Sequence, residues 1–403
     1  MADLGGDVEV DVAVVGLGIM GSCTLWRLAA RGISAIGIDT HHPPHQFGQS
    51  KGESRILRRI QFEGEDYVAL GSLAYQLWSD MARQGGHEVF RRTGLLVLGP
   101  PGSQLIRGGR ESAERAGLDF DLLDAAAIRA RHPQHLVGDE EIALFDPDGG
   151  YASPDQAVET ALRLAADAGA TTRLGCTVRS ISAGAREVVL KTDRGTIRCV
   201  HAVVAAGARL PSLLPEFAAA IQHERHGYAY VKVTSAAAAA FAPDRFPVWI
   251  RENSSHTGVS IRDSHSHRER ILAFGFPTLD GSRVKVGFPD TGAVVPGPEV
   301  DPKPWPAEAE VFGSDRLKGV LAGVVPGYSE FTACQYDNSR DFNFILGQLP
   351  SNPRVTVLGG FSGHGFKHAP AVGECAAALA AGEAPPLDIR PYSPARAALG
   401  LRS

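Results

Sequence analysis

The sequence of 403 residues is poor in cysteine and lysine and has no long apolar run. Its five cysteines lie far apart, and no two form a CxxC pair. This spacing argues against a metal site, and an odd number argues against a disulfide framework. Residues 1–9 lack the basic start and apolar core of a signal peptide, and no apolar run approaches the roughly 20 residues that span a bilayer. We therefore expect a cytoplasmic protein with no metal ion and no membrane partner.

The chain also lacks an excess of positive charge, because 40 Lys and Arg stand against 45 Asp and Glu, giving a net charge of −5. A weakly acidic chain has no basic field to attract nucleic acid, which we exclude as a main partner. Only seven of the 40 basic residues are lysines. A lysine within glycine-rich or apolar sequence is therefore noteworthy here.

The N-terminal segment carries a dinucleotide-binding pattern. An apolar run at 10–15 leads into Gly16-Leu-Gly18-Ile-Met-Gly21, then into a helical segment and a second short strand that closes on Asp39. Gly16 makes the tight turn, Gly18 admits a pyrophosphate, and Gly21 allows helix and strand to pack closely. The helix N-terminus would face the phosphates, and Asp39 would accept a hydrogen bond from a ribose hydroxyl. The pattern predicts dinucleotide binding without separating NAD from FAD.

A second glycine cluster follows the apolar run at 355–358, with four glycines in residues 359–367 and Lys367 at its end. Taken alone, it fits a surface turn with a solvated lysine. Beside a dinucleotide site it fits a different role, because bare backbone N–H groups and a fixed cation suit a polar cofactor and an anionic substrate.

The order of helical and strand patterns predicts a discontinuous α/β (α+β overall) architecture. A Rossmann-type cofactor domain would comprise residues 1–90, 150–225 and 325–403. A mixed β-sheet substrate domain would be inserted as residues 91–149 and 226–324. The pattern predicts helices over 64–84, 155–168 and 307–323, and it treats the polar stretch 252–270 as a surface loop. His256, His265 and His267 in that stretch fit a solvated loop better than a metal site.

Several blocks together resemble the monomeric sarcosine oxidase and N-methyltryptophan oxidase family, which are FAD-dependent amine oxidases of the D-amino-acid oxidase superfamily. The resemblance covers nearly the whole chain. The blocks that carry it are the GxGxxG turn, Gly52-Glu-Ser-Arg55-Ile-Leu-Arg58, Gly275-Phe-Pro with Lys285-Val-Gly, Cys334-Gln-Tyr336 and Phe361-Ser-Gly-His-Gly-Phe-Lys367. It implies a D-amino-acid-oxidase-like fold and FAD as the cofactor.

The resemblance also implies residue roles. Cys334 would bond covalently to the flavin, Arg58 and Lys367 would bind the substrate carboxylate, and Lys285 would activate molecular oxygen. Arg55 would lie against the flavin ring, and a helical or turn-like stretch would place it on the same side as Arg58. Tyr336 would be an active-site tyrosine. The expected flavin contacts further include Ser50, Lys51, Gly207, Gly363, His364 and Gly365.

The chain departs from the family pattern on the substrate side. Phe288-Pro289 replaces a histidine, Ser50-Lys51 replaces a histidine pair, and Ala273-Phe274 lacks a tyrosine. We therefore predict a monomeric oxidase of a carboxylate-bearing secondary amine other than sarcosine: an N-methyl amino acid, a cyclic imino acid or a larger conjugate. A dehydrogenase or natural-product tailoring oxidase with another acceptor or substrate, and a non-catalytic flavin-binding module, are the alternatives.

Overall fold

A computed structural model describes residues 6–252 and 271–401 of the chain. The strands within these residues are β1 (Val8–Val15), β2 (Ala35–Asp39), β3 (Arg55–Leu57), β4 (Phe90–Arg92), β5 (Leu95–Gly99), β6 (Asp121–Leu123), β7 (Ile142–Asp146), β8 (Gly150–Ala152), β9 (Thr171–Leu174), β10 (Val178–Ala183), β11 (Val188–Thr192), β12 (Gly195–Val204), β13 (Ile221–Lys232), β14 (Val248–Glu252), β15 (Ile271–Gly275), β16 (Arg283–Gly287), β17 (Ala293–Val294), β18 (Glu330–Ser339), β19 (Ile345–Leu349) and β20 (Asn352–Gly359). The helices are α1 (Ile19–Ala29), α2 (Asp66–Gly85), α3 (Gln104–Ala116), α4 (Ala125–Arg131), α5 (Pro154–Asp167), α6 (Leu210–Leu213), α7 (Pro306–Gly313) and α8 (Ala369–Ala380).

The first large sheet is built around β1, which pairs in parallel with β2 on one side and with β12 on the other. The strand order is β10-β11-β12-β1-β2-β9, and β20 also pairs with β12. The C-terminal half of β1 is buried because both of its faces pack on apolar clusters, Val12 and Val14 on one side and Ala13 and Val15 on the other. Helix α1 packs between α5 and α8 on one of these faces. A side chain at Gly373 of α8 would come within 2.7 Å of the Cys23 backbone, so the two helices touch through glycine.

The second large sheet has the order β17-β13-β16-β15-β14-β5-β7-β6. Its longest strand, β13, also pairs along ten residues with β18, and this register sets His226 opposite Cys334 and Glu224 opposite Tyr336. The sheet is mostly antiparallel, and its apolar face packs on the cluster that contains Trp249, Phe241 and Phe312. Lys285, Cys334 and Tyr336 are therefore held on adjacent or nearby strands of one sheet.

A small third sheet, β3-β8-β4, carries Arg55 as the first residue of β3. The expected helical or turn-like stretch around Arg55 and Arg58 is therefore wrong. Arg58 follows the strand directly, in a segment that bends toward Glu63. Pairing with β8 gives residues 55–57 their extended form.

Other sequence-based elements are confirmed with shifted ends. The predicted helix 64–84 is α2, and the helix 155–168 is α5, which begins at Pro154. The predicted helix 307–323 is too long, because α7 ends at Gly313 and a 3₁₀ turn follows over Asp315–Gly319. Strand β18 falls in the segment 325–403 that we assigned to the cofactor domain, yet it pairs with β13 of the second sheet. The domain boundaries stay a prediction.

None of the helices in residues 6–252 and 271–401 combines the length and the apolar character that crossing a membrane requires. The same residues contain no group of three or more His, Cys, Asp and Glu side chains arranged to hold a metal ion. His256, His265 and His267 lie outside the described residues.

Arg225 of β13 binds the proline-rich segment that leads into α7. Its guanidinium is fully buried, contacts the Glu308 carboxylate at 2.8–3.1 Å, and donates to the backbone carbonyls of Asp301 and Lys303. The Glu308 carboxylate in turn accepts the N–H of Trp305 at 2.7 Å. This buried ion pair ties the segment before α7 to the second sheet.

We predict that Arg225→Met lowers the free energy of unfolding by about 3–5 kcal/mol, because it leaves the Glu308 carboxylate buried without its cation. Urea denaturation measures this, and Arg129→Met is the control because Arg129 pairs with Asp139 at the surface. Equal stability of Arg225→Met and the wild type would show that the ion pair does not hold the segment.

Candidate active site

A cavity of about 240 Å³, which we call the principal cavity, lies where the glycine cluster, the segment 49–63 and the second sheet meet. Its lining residues that we use below are Ile19, Ser50, Ser54, Arg55, Arg58, Phe62, Glu63, Tyr228, Ile250, Ile271, Phe274, Phe276, Lys285, Pro289, Cys334, Tyr336, Gly363, His364, Gly365 and Lys367. Basic side chains and apolar side chains thus share one enclosed space.

The glycine turn at the start of α1 has the features that hold a dinucleotide phosphate. Gly16 has a φ of +90°, and a side chain at Gly21 would collide with the Gly16 carbonyl at 1.8 Å. Gly18 is the N-cap of α1 and offers no capping side chain of its own, and the first turn of the helix contains no acidic residue. The helix N-terminus can therefore present to an anion the N–H groups that Ser50 does not bind.

Asp39 and Ser50 brace this turn. One Asp39 carboxylate oxygen accepts the N–H of Leu17 at 2.7 Å, and the other accepts the N–H of His41 at 2.8 Å. Burial raises the pKa of Asp39, but hydrogen bonds from His45, His41 and Leu17 outweigh it and lower the pKa below its usual value. The carboxylate thus stays ionised, with lone pairs left for a ribose hydroxyl.

Ser50 lies between the turn and the cavity, where its Oγ accepts the N–H of Ile19 at 3.0 Å and would lie 3.2 Å from a Cβ at Gly18. Lys51, the next residue, does not line the cavity. Gly207, with a φ of +52°, lies close to the residue that precedes Ser50, since a side chain at Gly207 would approach the Gln49 amide oxygen at 3.3 Å. These residues fit the path that an extended dinucleotide would take from the turn to the cavity.

Cys334 is the cysteine that borders the cavity. Its thiol is buried and lies 3.8 Å from the Arg55 guanidinium. The thiols of Cys199 and Cys375 lie in the core instead, and burial raises the pKa of each to about 12. Cys334 is thus a buried cysteine whose thiol lies beside a cation in the wall of the cavity.

Arg55 is held from several sides. Its guanidinium donates to the carbonyls of Ser54 and Gln49 at 3.0 and 3.2 Å. Burial lowers the pKa of Arg55, but the neighbouring Cys334 and Tyr228 outweigh it and raise the pKa above the usual value. Arg55 is therefore a fixed cation in the wall of the cavity.

Tyr336 and the glycine cluster form the opposite wall. The His226 ring stacks on Tyr336 at 4.2 Å, and a side chain at Gly363 would come within 2.8 Å of the Tyr336 ring. Gly363 has a φ of +75°, so both its backbone conformation and the lack of space require glycine. His364 follows, with its ring packed 4.7 Å from that of Phe344.

Arg58 and Lys367 converge on one carboxylate, that of Glu63. Lys367 Nζ lies 3.0 Å from Glu63 Oε1, and Arg58 donates to the same oxygen. All three side chains are at least nine-tenths buried. The two cations that we expected to bind a substrate carboxylate thus already hold a carboxylate of the protein.

In the cluster formed by Arg58, Glu63 and Lys367, the lysine has a lowered affinity for its proton. Burial, followed by the charge of Arg58, lowers the pKa of Lys367 to about 7, although Glu63 acts in the opposite direction. Burial likewise lowers the pKa of Arg58, partly offset by Glu63. Near neutral pH the cluster carries a net charge between zero and +1, depending on the protonation of Lys367.

Lys285 lies on the second sheet beside Arg55. Its Nζ donates to the Ser54 carbonyl at 2.8 Å and lies 4.1 Å from the centre of the Tyr228 ring. Burial first, and the charge of Arg55 second, lower the pKa of Lys285 well below its usual value. Lys285 is therefore less firmly protonated than the fixed cation we expected from the sequence.

Apolar side chains form the remaining wall. Phe62, Ile250, Ile271, Phe274 and Phe276 line the cavity. Of the departures from the family pattern, Phe274 and Pro289 belong to this wall, whereas Ala273 and Phe288 pack in the core of the second sheet. The wall can cover an apolar group next to the charged cluster.

Several residues of this site were not predicted from the sequence. Apart from its position five residues after Arg58, Glu63 has no feature in the sequence that indicates a role in the site. Tyr228 and Ser54 are next to predicted elements, but their contacts with Arg55 and Lys285 come from strand pairing. The apolar wall draws on segments that are distant in sequence.

Comparison with known proteins identifies the family of the chain. The sequence pattern of the family described as "FAD dependent oxidoreductase" matches residues 11–379. The chain is 32% identical to the N-methyl-L-tryptophan oxidase of Salmonella agona over 388 residues, covering 96% of this chain and 98% of that protein.

Two solved structures share the fold. NikD, an amino acid oxidase essential for nikkomycin biosynthesis, is 23% identical with a TM-score of 0.79, covering 96% of this chain and 98% of that one. The L-proline dehydrogenase of P. horikoshii is 22% identical with a TM-score of 0.78, covering 98% of this chain and 100% of that one.

The predicted resemblance, the fold class and the assignment as an FAD-dependent oxidoreductase are confirmed by these matches. The glycine turn, the basic cavity and the matched sequence together lead to one conclusion. The chain belongs to the family of FAD-dependent oxidoreductases.

Proposed function

We propose that the protein is an oxidase of N-methyl amino acids with a large apolar side chain, carries FAD attached to Cys334, and releases hydrogen peroxide. The observation that supports this most is the placement of the Arg58–Lys367–Glu63 cluster in the same cavity as Cys334 and the apolar wall. The relative named N-methyl-L-tryptophan oxidase supports the substrate class. The monomeric state and the cytoplasmic location stay predictions from the sequence.

The residues of the chain fit an FAD. The glycine turn and Asp39 would hold the pyrophosphate and ribose, and Ser50, Gly207, Gly363, His364 and Gly365 would line the path of the flavin. Bound there, FAD would supply the redox chemistry, which is hydride acceptance from the carbon beside the substrate nitrogen and electron transfer to oxygen. The protein supplies position, charge and exclusion of water.

Arg58 and Lys367 would bind the substrate carboxylate by taking over the contacts that Glu63 now makes. An exchange of one carboxylate for another keeps the two buried cations paired, and it requires Glu63 to take up a proton or to turn toward water, because its carboxylate would otherwise be left buried without a cation. Arg58 offers a planar fork and Lys367 a compact ammonium, so the two fix the carboxylate from different directions. The apolar wall would then cover the substrate side chain.

Arg55, Tyr336 and Lys285 would act on the reacting end of the substrate and on oxygen. Arg55 places a positive charge beside Cys334 and the expected flavin ring. Tyr336 is placed by its stack on His226 and by the absence of a side chain at Gly363. Lys285, when protonated, would stabilise the negative charge that develops on oxygen as it is reduced.

The direct test of the proposed function is peroxide release by the purified holoenzyme with N-methyl-L-tryptophan as substrate. We expect one equivalent of peroxide for each substrate oxidised. Substrate oxidation that needs an added electron acceptor would identify a dehydrogenase instead, and flavin that no N-methyl or cyclic amino acid reduces would favour the non-catalytic module.

The covalent link can be tested with cysteine variants. After denaturation in acid, we expect the yellow chromophore to stay with the wild-type polypeptide and with Cys199→Ala, whose thiol is buried in the first sheet. Cys334→Ala should release all of its flavin, because no thiol remains beside Arg55. Free flavin from the wild-type protein would refute attachment at Cys334.

The role of Lys285 predicts a selective defect. Lys285→Met should slow the reaction of the reduced enzyme with oxygen by roughly 100-fold or more, the scale of losing one electrostatic stabiliser, while anaerobic flavin reduction changes little. Stopped-flow absorbance separates the two steps, and Lys232→Met, an exposed lysine on β13, is the control. An unchanged oxygen reaction in Lys285→Met would remove this residue from the mechanism.

Carboxylate binding should depend on pH through Lys367. The ammonium is present below its pKa of about 7, so affinity for N-acetyl-L-tryptophan should fall as the pH rises through that value. Glu63 raises this pKa, so in Glu63→Gln the loss should begin at lower pH. Flavin difference spectra measure the binding. A pH profile that Glu63→Gln leaves in place would show that the cluster does not control binding.

A further inference from the structure

A smaller cavity of about 110 Å³ shares Lys285 with the principal cavity and contains no residue of the apolar wall. We call it the rim cavity and define it by Ser54 and Lys285 at its inner end and by Tyr230, Leu279, Asp280 and Arg283 at its outer end. Ser54 and Lys285 also line the principal cavity. These two residues therefore form the partition between the two spaces.

The strand register explains this arrangement. Arg283 and Lys285 are two residues apart on β16, and Tyr228 and Tyr230 are two residues apart on β13, so all four side chains project from one face of the sheet. Each cation lies over a tyrosine ring: Lys285 is 4.1 Å from the centre of Tyr228, and Arg283 is 4.0 Å from that of Tyr230. Lys285 and Tyr228 line the principal cavity, and Arg283 and Tyr230 line the rim cavity.

The outer end is polar and reaches the surface. Arg283 contacts Asp280, Glu53 and Glu330 at 2.8–2.9 Å, and these three carboxylates are 41–59% exposed. Leu279, on the turn between β15 and β16, is 45% exposed and lines the rim cavity. Surface side chains of this kind can move without disturbing the core.

The inner end has hydrogen-bonding capacity that the protein leaves unused. Ser54 Oγ is buried and has no hydrogen-bond partner in the structure. A small polar molecule beside it could accept or donate one hydrogen bond there and accept a second from Lys285. The rim cavity is less than half the volume of the principal one, so it suits a molecule of two to four atoms rather than an amino acid.

We propose that the rim cavity is a separate passage for oxygen and hydrogen peroxide, which lets them reach and leave Lys285 while the substrate or product fills the principal cavity. The proposal rests on the role of Lys285 in the oxygen step given above. In that step oxygen gains two electrons from the reduced cofactor and two protons, and hydrogen peroxide leaves. No other co-reactant is needed.

Leu279→Trp should close the passage by filling its outer end. The holoenzyme would be reduced by light without air, so that no substrate is needed, and then mixed with oxygen. We expect the rate constant of flavin reoxidation to fall several-fold in Leu279→Trp and to stay at the wild-type value, or to rise, in Leu279→Ala. Leu122→Trp is the matched control, since Leu122 is a 48% exposed leucine on β6.

A second readout does not use the flavin. Cyanate carbamylates neutral amines, and the lowered pKa of Lys285 makes it a suitable target. With N-acetyl-L-tryptophan filling the principal cavity of the oxidised holoenzyme, we expect peptide mass spectrometry to show labelling of Lys285 in the wild type and in Leu122→Trp. The labelling should be several-fold slower in Leu279→Trp.

Wild-type rates of both reoxidation and labelling in Leu279→Trp would overturn the proposal. That result would leave the proposed function intact, because substrate oxidation and peroxide release are measured separately. Conversely, failure to oxidise any N-methyl amino acid would refute the proposed function, and the light-reduced enzyme would still report on the passage.

Discussion

The rest of the site depends on four basic side chains around one cavity, of which Arg58, Lys285 and Lys367 are buried and Arg55 is half-buried. Burying a charge without a partner is costly, and Glu63 is the carboxylate that pairs with two of them. Burial first, and the charge of a neighbouring arginine second, lower the pKa values of Lys285 and Lys367. A cavity of this kind stabilises anions, which is what a substrate carboxylate and partly reduced oxygen have in common.

The fold supports this crowding by drawing each cation from a different element. Arg55 begins β3, Arg58 follows it, Lys285 lies on β16, and Lys367 follows the glycine cluster after β20. Each is tied to a backbone carbonyl, such as that of Ser54 for Lys285 and that of His364 for Lys367. The Ser54 carbonyl accepts hydrogen bonds from both Arg55 and Lys285, so contacts to the backbone help to hold these charges in place.

The sequence was sufficient for the parts of the site that are local. The glycine turn with Asp39, and the cluster that ends in Lys367, are short motifs whose backbone requirements are visible in the residues themselves. Strand β18 and the extended form of Arg55 were missed because strand pairing is decided by partners distant in sequence. Glu63 was missed for the same reason: its contact with Lys367 joins residues 304 positions apart.

The central claim is that the buried cations select a carboxylate and so place the amine for oxidation. Anaerobic mixing of the holoenzyme with N-methyl-L-tryptophan or with N-methyltryptamine, which lacks only the carboxylate, tests this claim most directly. We expect rapid bleaching of the flavin absorbance with the amino acid and little or none with the amine. Equal rates of bleaching with the two compounds would contradict the account.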